Sequence, residues 1–266
     1  MQRSVSCRLE ADIVGLCDIV LSVAVASGAP LASELLTIGV DGVGVDFFEV
    51  HDDHGVRLHR ASGLLTGHLV VDYRATVNGT VPPPPVTDID LIRYARPSRY
   101  CESDRLSAFA RAEFRWLNGL ALLDAVTRWV GQRVAYVAGS SRPIDGAVAT
   151  LLARQGVCRD FAHLVIALLR ACDMPARLVS VYAPGLQPMD FHAVAEAFID
   201  GVWYVADATG LAPRTAMQRI ATGRDAADTA FLTIAGELAT LTSIEVTAVT
   251  DGDLPFDNWS MPLSLT

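Results

Sequence analysis

From Val5 to Ile13 the chain alternates Val5, Cys7, Leu9, Ala11 and Ile13 with polar Ser6, Arg8, Glu10 and Asp12. A period of two marks a half-buried strand. The stretch "GVDFFEVHDDHGVRLHRASG" carries β-favouring residues on both sides of a turn-rich centre, and "LLTGHLVVDYRATVNG" alternates up to an Asn-Gly turn. Residues 1–81 therefore predict a small antiparallel β-domain. The prolines Pro82–Pro85 fit neither a helix nor a central strand, so 82–98 reads as a Pro-rich linker with polyproline II character. A second domain is expected over 99–266.

Past the linker the spacing changes. "SDRLSAFARAEF" and "LNGLALLDAVTRWVGQ" repeat apolar residues at helical intervals, and Ser103 or Asp104 is a candidate cap for the first. "CRDFAHLVIALLRACDMP" predicts a third helix that stops ahead of Pro175. Strands return in "ARLVSVY", "HAVAEAFI" and "VWYVADAT", the last two separated by Asp200-Gly201, a two-residue hairpin signal. The tail "GELATLTSIEVTAVT" reads as one or two strands completing the same sheet.

Composition narrows the function classes. With 51% hydrophobic and 19% charged residues the chain is globular, and no apolar stretch is long enough to cross a bilayer without a charge. A net charge of -9 without a basic cluster disfavours nucleic acid and anionic lipid as partners. Five cysteines without a CxxC pair read as reduced thiols in a cytoplasmic protein. The run Ile19–Pro30 resembles a signal peptide, but Glu10, Asp12 and Asp18 stand where a leader needs a basic, then apolar, stretch.

The hairpin gives a register for candidate chemistry. With Asp200 and Gly201 as the loop, Ile199 pairs with Val202 and Val194 lies opposite Asp207. His192 and Asp207 then become diagonal neighbours on one face. A carboxylate there fixes the tautomer of an imidazole and favours its charged form. On the helix, Cys158 shares a stripe with Phe161, Ala162, Val165, Leu168 and Leu169, the face expected against the sheet. Gly156 would ease the turn into the helix, putting Cys158 in a first turn that favours a thiolate, with Asp160 opposing unless turned away. Each residue also has a structural reading: Cys158 as core, His192 as an edge-strand surface residue, Asp207 as a cap of the "DATG" turn. A zinc site on the three lacks a fourth ligand at a characteristic spacing.

In order and separation, "GVCRDFAHLVIALLRACDMPARLVSVY", "FHAVAEAFIDGVWYVADAT" and "RIATGRDAADTAF" resemble the core of the bacterial transglutaminase-like superfamily. The likeness extends loosely upstream through "VAYVAGSSRP" and covers Ala108 to Ile234. It implies an α+β fold, an N-terminal antiparallel β-domain followed by a papain-like domain with helices packed on an antiparallel sheet. It also implies a triad: Cys158 as nucleophile, His192 as general base and acid, Asp207 as orienter of His192. The reaction implied is acyl transfer from a peptide or protein amide through a thioester, to water or to an amine acceptor, with no cofactor or metal. Tyr136, from its place upstream of the cysteine, is the candidate oxyanion donor beside the Cys158 N–H; a papain-like glutamine six residues before the cysteine is not there, Leu152 standing in its place. The competing expectation is a non-catalytic peptide-binding module that retains the triad.

Three further features read as structural. The "HDDH" of His51–His54 is expected as a solvated loop rather than a metal site, His163 as an exposed helix residue, and Trp116 with Trp129 as helix core. The sequence gives no oligomeric state.

Overall fold

The computed structural model describes residues 1–80 and 85–265. Strands β1 (Gln2–Leu21), β2 (Leu31–Val40), β3 (Val43–Gly44), β4 (Phe48–His51), β5 (Arg57–Leu64) and β6 (Gly67–Asn78) make up the first part of the chain. Helices α1 (Asp88–Ala95), α2 (Ser103–Glu113) and α3 (Gly119–Arg133) follow, then β7 (Ala135–Tyr136), α4 (Ala147–Ala153), β8 (Gln155–Gly156) and α5 (Cys158–Ala171). The remaining strands are β9 (Ala176–Tyr182), β10 (Phe191–Ile199), β11 (Val202–Ala206), β12 (Gln218–Gly223) and β13 (Leu232–Thr250).

The protein is α+β, as its sequence periodicities imply. β1 to β6 form an antiparallel sheet in the order β3-β2-β6-β1-β5-β4. The alternation read over Val5–Ile13 is the alternation of β1, whose odd residues enter the core. The leader-like run is part of that core too, with Ile19, Leu21, Val23 and Val25 buried. Residues Pro82–Pro84 of the expected polyproline connector lie outside the described residues. Within the expected linker, α1 begins where the Thr87 N–H donates to Asp90 Oδ2 at 2.9 Å.

The second sheet has the order β11-β10-β9-β12. α5 packs across it, using the expected stripe of Phe161, Ala162, Val165, Leu168 and Leu169 against small residues such as Ala195 and Ala197. Small side chains under the helix bring the two layers close. The helix is not one-sided, however, because α2, α3 and α4 cover its other faces. His163, expected on the surface, is therefore fully buried and stacks on Tyr100, its Nε2 accepting from the Ala226 N–H at 3.1 Å.

One expectation fails outright. β13 does not complete the second sheet; it runs antiparallel to β1 from Arg3↔Thr250 to Leu21↔Leu232. The fourth strand of the second sheet is β12 instead. Period-two patterning identifies a strand but not its partner. The two halves are also joined by side chains: Tyr182 of β9 lies in the first core and donates to the Val23 carbonyl at 2.8 Å.

Candidate active site

Asp200-Gly201 forms the hairpin loop, with Ile199↔Val202 and Ala195↔Ala206 in register, so Val194 comes opposite Asp207 as read from the sequence. His192 and Asp207 are both buried, and His192 Nε2 lies 2.9 Å from Asp207 Oδ2. The other carboxylate oxygen, Oδ1, accepts from the Thr209 N–H at 2.9 Å and from its hydroxyl at 2.6 Å. Two readings that competed in the sequence are thus both realised: Asp207 caps the "DATG" turn and holds the imidazole. Thr209 was the residue missed, and the Asp-x-Thr spacing of a side-chain-capped turn is the signal that marks it.

Burial alone would depress the imidazole, but the Asp207 charge and hydrogen bond override it, and proximity to Cys158 adds to the rise, bringing His192 to about 10. The ring is accordingly an imidazolium at neutral pH. Asp207 is held below its ordinary range: burial raises it, and the His192 charge more than reverses that. Nδ1 has no hydrogen-bond partner. With Nε2 given to Asp207, Nδ1 is the nitrogen left for Cys158, which lies close enough to raise the imidazole.

Cys158 is the first residue of α5 and half-buried. Asp160, which the sequence set against a thiolate, is turned back: Oδ2 accepts from the Val157 N–H at 2.8 Å and Oδ1 from Ser141 Oγ at 3.0 Å. It caps the helix that carries the thiol. Gly156 serves that cap by leaving space rather than by an unusual backbone, since a Cβ there would meet Asp160 Cβ at 2.6 Å.

Tyr136 reaches the same place through a short parallel bridge. β7 pairs with β8 at Tyr136↔Gly156, and the Val137 N–H donates to the Gly156 carbonyl at 3.0 Å. The phenol is therefore fixed two residues from the cysteine and faces its amide. Burial, then the charge of Cys158, push the hydroxyl up to about 12 against the pull of that amide, so it stays a neutral O–H. Leu152, at the glutamine position of papain-like enzymes, is exposed on α4. Asp190, near His192, has its carboxyl raised by partial burial, against the Phe191 N–H that donates to Oδ1 at 2.7 Å and the lesser pull of the His192 charge.

The remaining candidates lie elsewhere. His54 is not a solvated loop residue; its side chain is buried against α1 with Nε2 3.1 Å from Asp90 Oδ1. Trp129 packs edge-on against Phe109 and Phe114, but Trp116 is 86% exposed and belongs to no core. Among the described residues no group of three or more His, Cys, Asp or Glu is arranged to hold a metal ion, and no helix is long and apolar enough to cross a membrane.

Comparison with known proteins bears on the same segment. Residues 117–208 match the family described as the transglutaminase-like superfamily. The crystal structure of a "putative cysteine protease" from Cytophaga hutchinsonii is 32% identical, with a TM-score of 0.89 over 100% of this chain and 98% of that one. The periplasmic domain of TgpA from Pseudomonas aeruginosa is 16% identical over 79% of this chain and 90% of its own, with a TM-score of 0.42. An uncharacterized protein of Mycobacterium leprae is 36% identical over 58 residues, a match spanning 22% of this chain and 21% of that protein.

Proposed function

This chain belongs to the transglutaminase-like superfamily, a group of papain-like cysteine hydrolases and acyltransferases, and from that premise we propose that it transfers acyl groups from peptide or protein amides through a thioester on Cys158. The observation that carries this reading is the buried imidazole of His192, anchored by Asp207 at 2.9 Å through Nε2 and left with a free Nδ1 on the thiol side. An imidazolium so placed stabilises a thiolate opposite it, and the thiolate is the attacking species.

The steps follow from the groups present. The Cys158 sulfur adds to the amide carbonyl, and the Cys158 N–H with the Tyr136 O–H receives the oxyanion. His192 gives its Nδ1 proton to the departing amine, which leaves an acyl-thioester and a neutral imidazole. Water or a primary amine then attacks the thioester, returning its proton to Nδ1 and releasing acid or new amide. Asp207 stays ionised throughout and holds the ring.

The test is incubation with a library of peptide amides, with and without a primary amine, read by mass spectrometry. Acid products indicate hydrolysis and amine adducts transamidation. Cys158→Ala should abolish either while leaving the circular dichroism spectrum unchanged, because the change removes one half-buried sulfur. Wild-type turnover in that variant would refute the mechanism. If the wild type turns over no amide and Cys158 resists iodoacetamide at neutral pH, the chain is a binding module.

A further inference from the structure

The outer edge of β13 is open. Its inner edge pairs with β1 along the whole length, while among the described residues no strand pairs with its outer edge. Natural edge strands are usually short, or blunted by Lys, Pro or a covering loop, because open N–H and C=O groups template pairing with another chain. Residues 238–247, "LATLTSIEVT", contain no Lys, Arg or Pro.

The core is also open on this side. Leu241 and Ile244 point inward, opposite Ala11 and Leu9, yet they are 37% and 38% exposed where Ala11 and Leu9 are 1% and 2%. A further strand beyond β13 would need inward apolar residues at matching positions.

We propose that this edge pairs with the β13 edge of a second copy of the chain, antiparallel about a two-fold axis between Thr242 and Ser243. The strand is self-complementary about that point. A bulge leaves Thr242 unpaired between Glu10↔Ser243 and Ala11↔Leu241, so Leu241 and Ile244 share the inner face despite their odd spacing. Antiparallel pairing about the axis sets Leu241 against Ile244 of the second copy, and Ala239 against its Val246. The charges agree as well: Glu245 faces Thr240, whereas a register centred on Leu241 would oppose Glu237 to Glu245. An isologous contact of this kind closes as a dimer, leaving no edge for a third chain.

Sedimentation velocity over a range of concentrations tests the proposal. The wild type should sediment as a dimer. Thr240→Glu, an exposed change, puts like charges opposite each other twice by symmetry and should weaken the dimer by about tenfold or more. Adding Glu245→Lys to Thr240→Glu should restore it, an outcome specific to this register. Ile244→Lys should give monomer, with folding checked by circular dichroism. A wild type that stays monomeric at every concentration, or a dimer indifferent to Thr240→Glu, overturns the proposal; the bulge at Thr242 is then the device that keeps the edge from pairing.

Discussion

Asp207 divides its two oxygens between a turn and an imidazole, so its substitution by Asn separates position from charge. Asp207→Asn keeps a carbonyl for Thr209 but removes the charge that outweighs burial at His192. The His192 titration, followed by NMR of the ring, should fall from about 10 toward or below the ordinary 6.5. Alkylation of Cys158 by iodoacetamide should slow, and turnover should drop by about 10²–10⁴-fold. The same pair dictates a pH dependence of stability. Because the folded-state value lies above the unfolded 6.5, folding takes up a proton in between. Its stabilisation is therefore complete below about 6.5 and lost as pH rises through about 10. Urea unfolding measured across that window should show a steeper decline for the wild type than for Asp207→Asn. At this scale the pairing of His192 with Asp207 was legible from sequence because a two-residue hairpin fixes register locally. Thr209 and the capping role of Asp160 were not, since both depend on which way a short polar side chain turns.

Among the elements, α5 and the bridge between β7 and β8 set the geometry of the thiol. Gly156→Ala would drive a Cβ to within 2.6 Å of Asp160 Cβ and force the capping carboxylate out. The expected cost is about 1–3 kcal/mol, read as a lower Tm, with a fall in kcat larger than any change in KM as the first turn carrying Cys158 shifts. Unchanged Tm and kcat would show that the cap is dispensable. Helices α2, α3 and α5 were readable from their apolar spacing, as were β9, β10 and β11. The burial of His163 and Arg170 was not readable, because a helix surrounded on all sides hides polar residues that a single apolar stripe would expose. Arg170 donates to the nearby Ala176 carbonyl, but its other partners, the Arg96 and Arg224 carbonyls and Ser98, are distant in the chain and unseen in any local window.

Across the whole molecule, the two sheets share residues rather than touching at a seam. Tyr182, Ile220 and Ala221 of the second sheet lie in the first core, and Arg3 of β1 donates to the Met217 carbonyl at 3.0 Å. Calorimetry should therefore give a single cooperative transition, with calorimetric and van't Hoff enthalpies equal. Two resolved transitions would show independent halves. Glu196, fully buried between Arg177 and Arg219 in the second sheet, supplies a probe of that coupling. Glu196→Gln leaves two guanidinium groups short of their counter-charge and should cost about 3–5 kcal/mol of stability, read as a lower midpoint of the same single transition.

The return of β13 to β1 has a consequence for biosynthesis. Leu21 meets His59 on one side but its second ladder partner only at Leu232, so on a ribosome adding about 5–20 residues per second the other long edge of β1 waits roughly 10–40 s for its last strand. Throughout that interval the nascent chain presents an open strand while the segment bearing the thiol is still being made. The final sheet, and with it the side-chain ties that brace β9 and β12 behind the site, closes only once the chain has emerged through Thr250. Assembly is thus timed from the C-terminal side, and a cell lacking factors that shield exposed strands during translation should lose this protein to aggregation before the cysteine acquires its histidine.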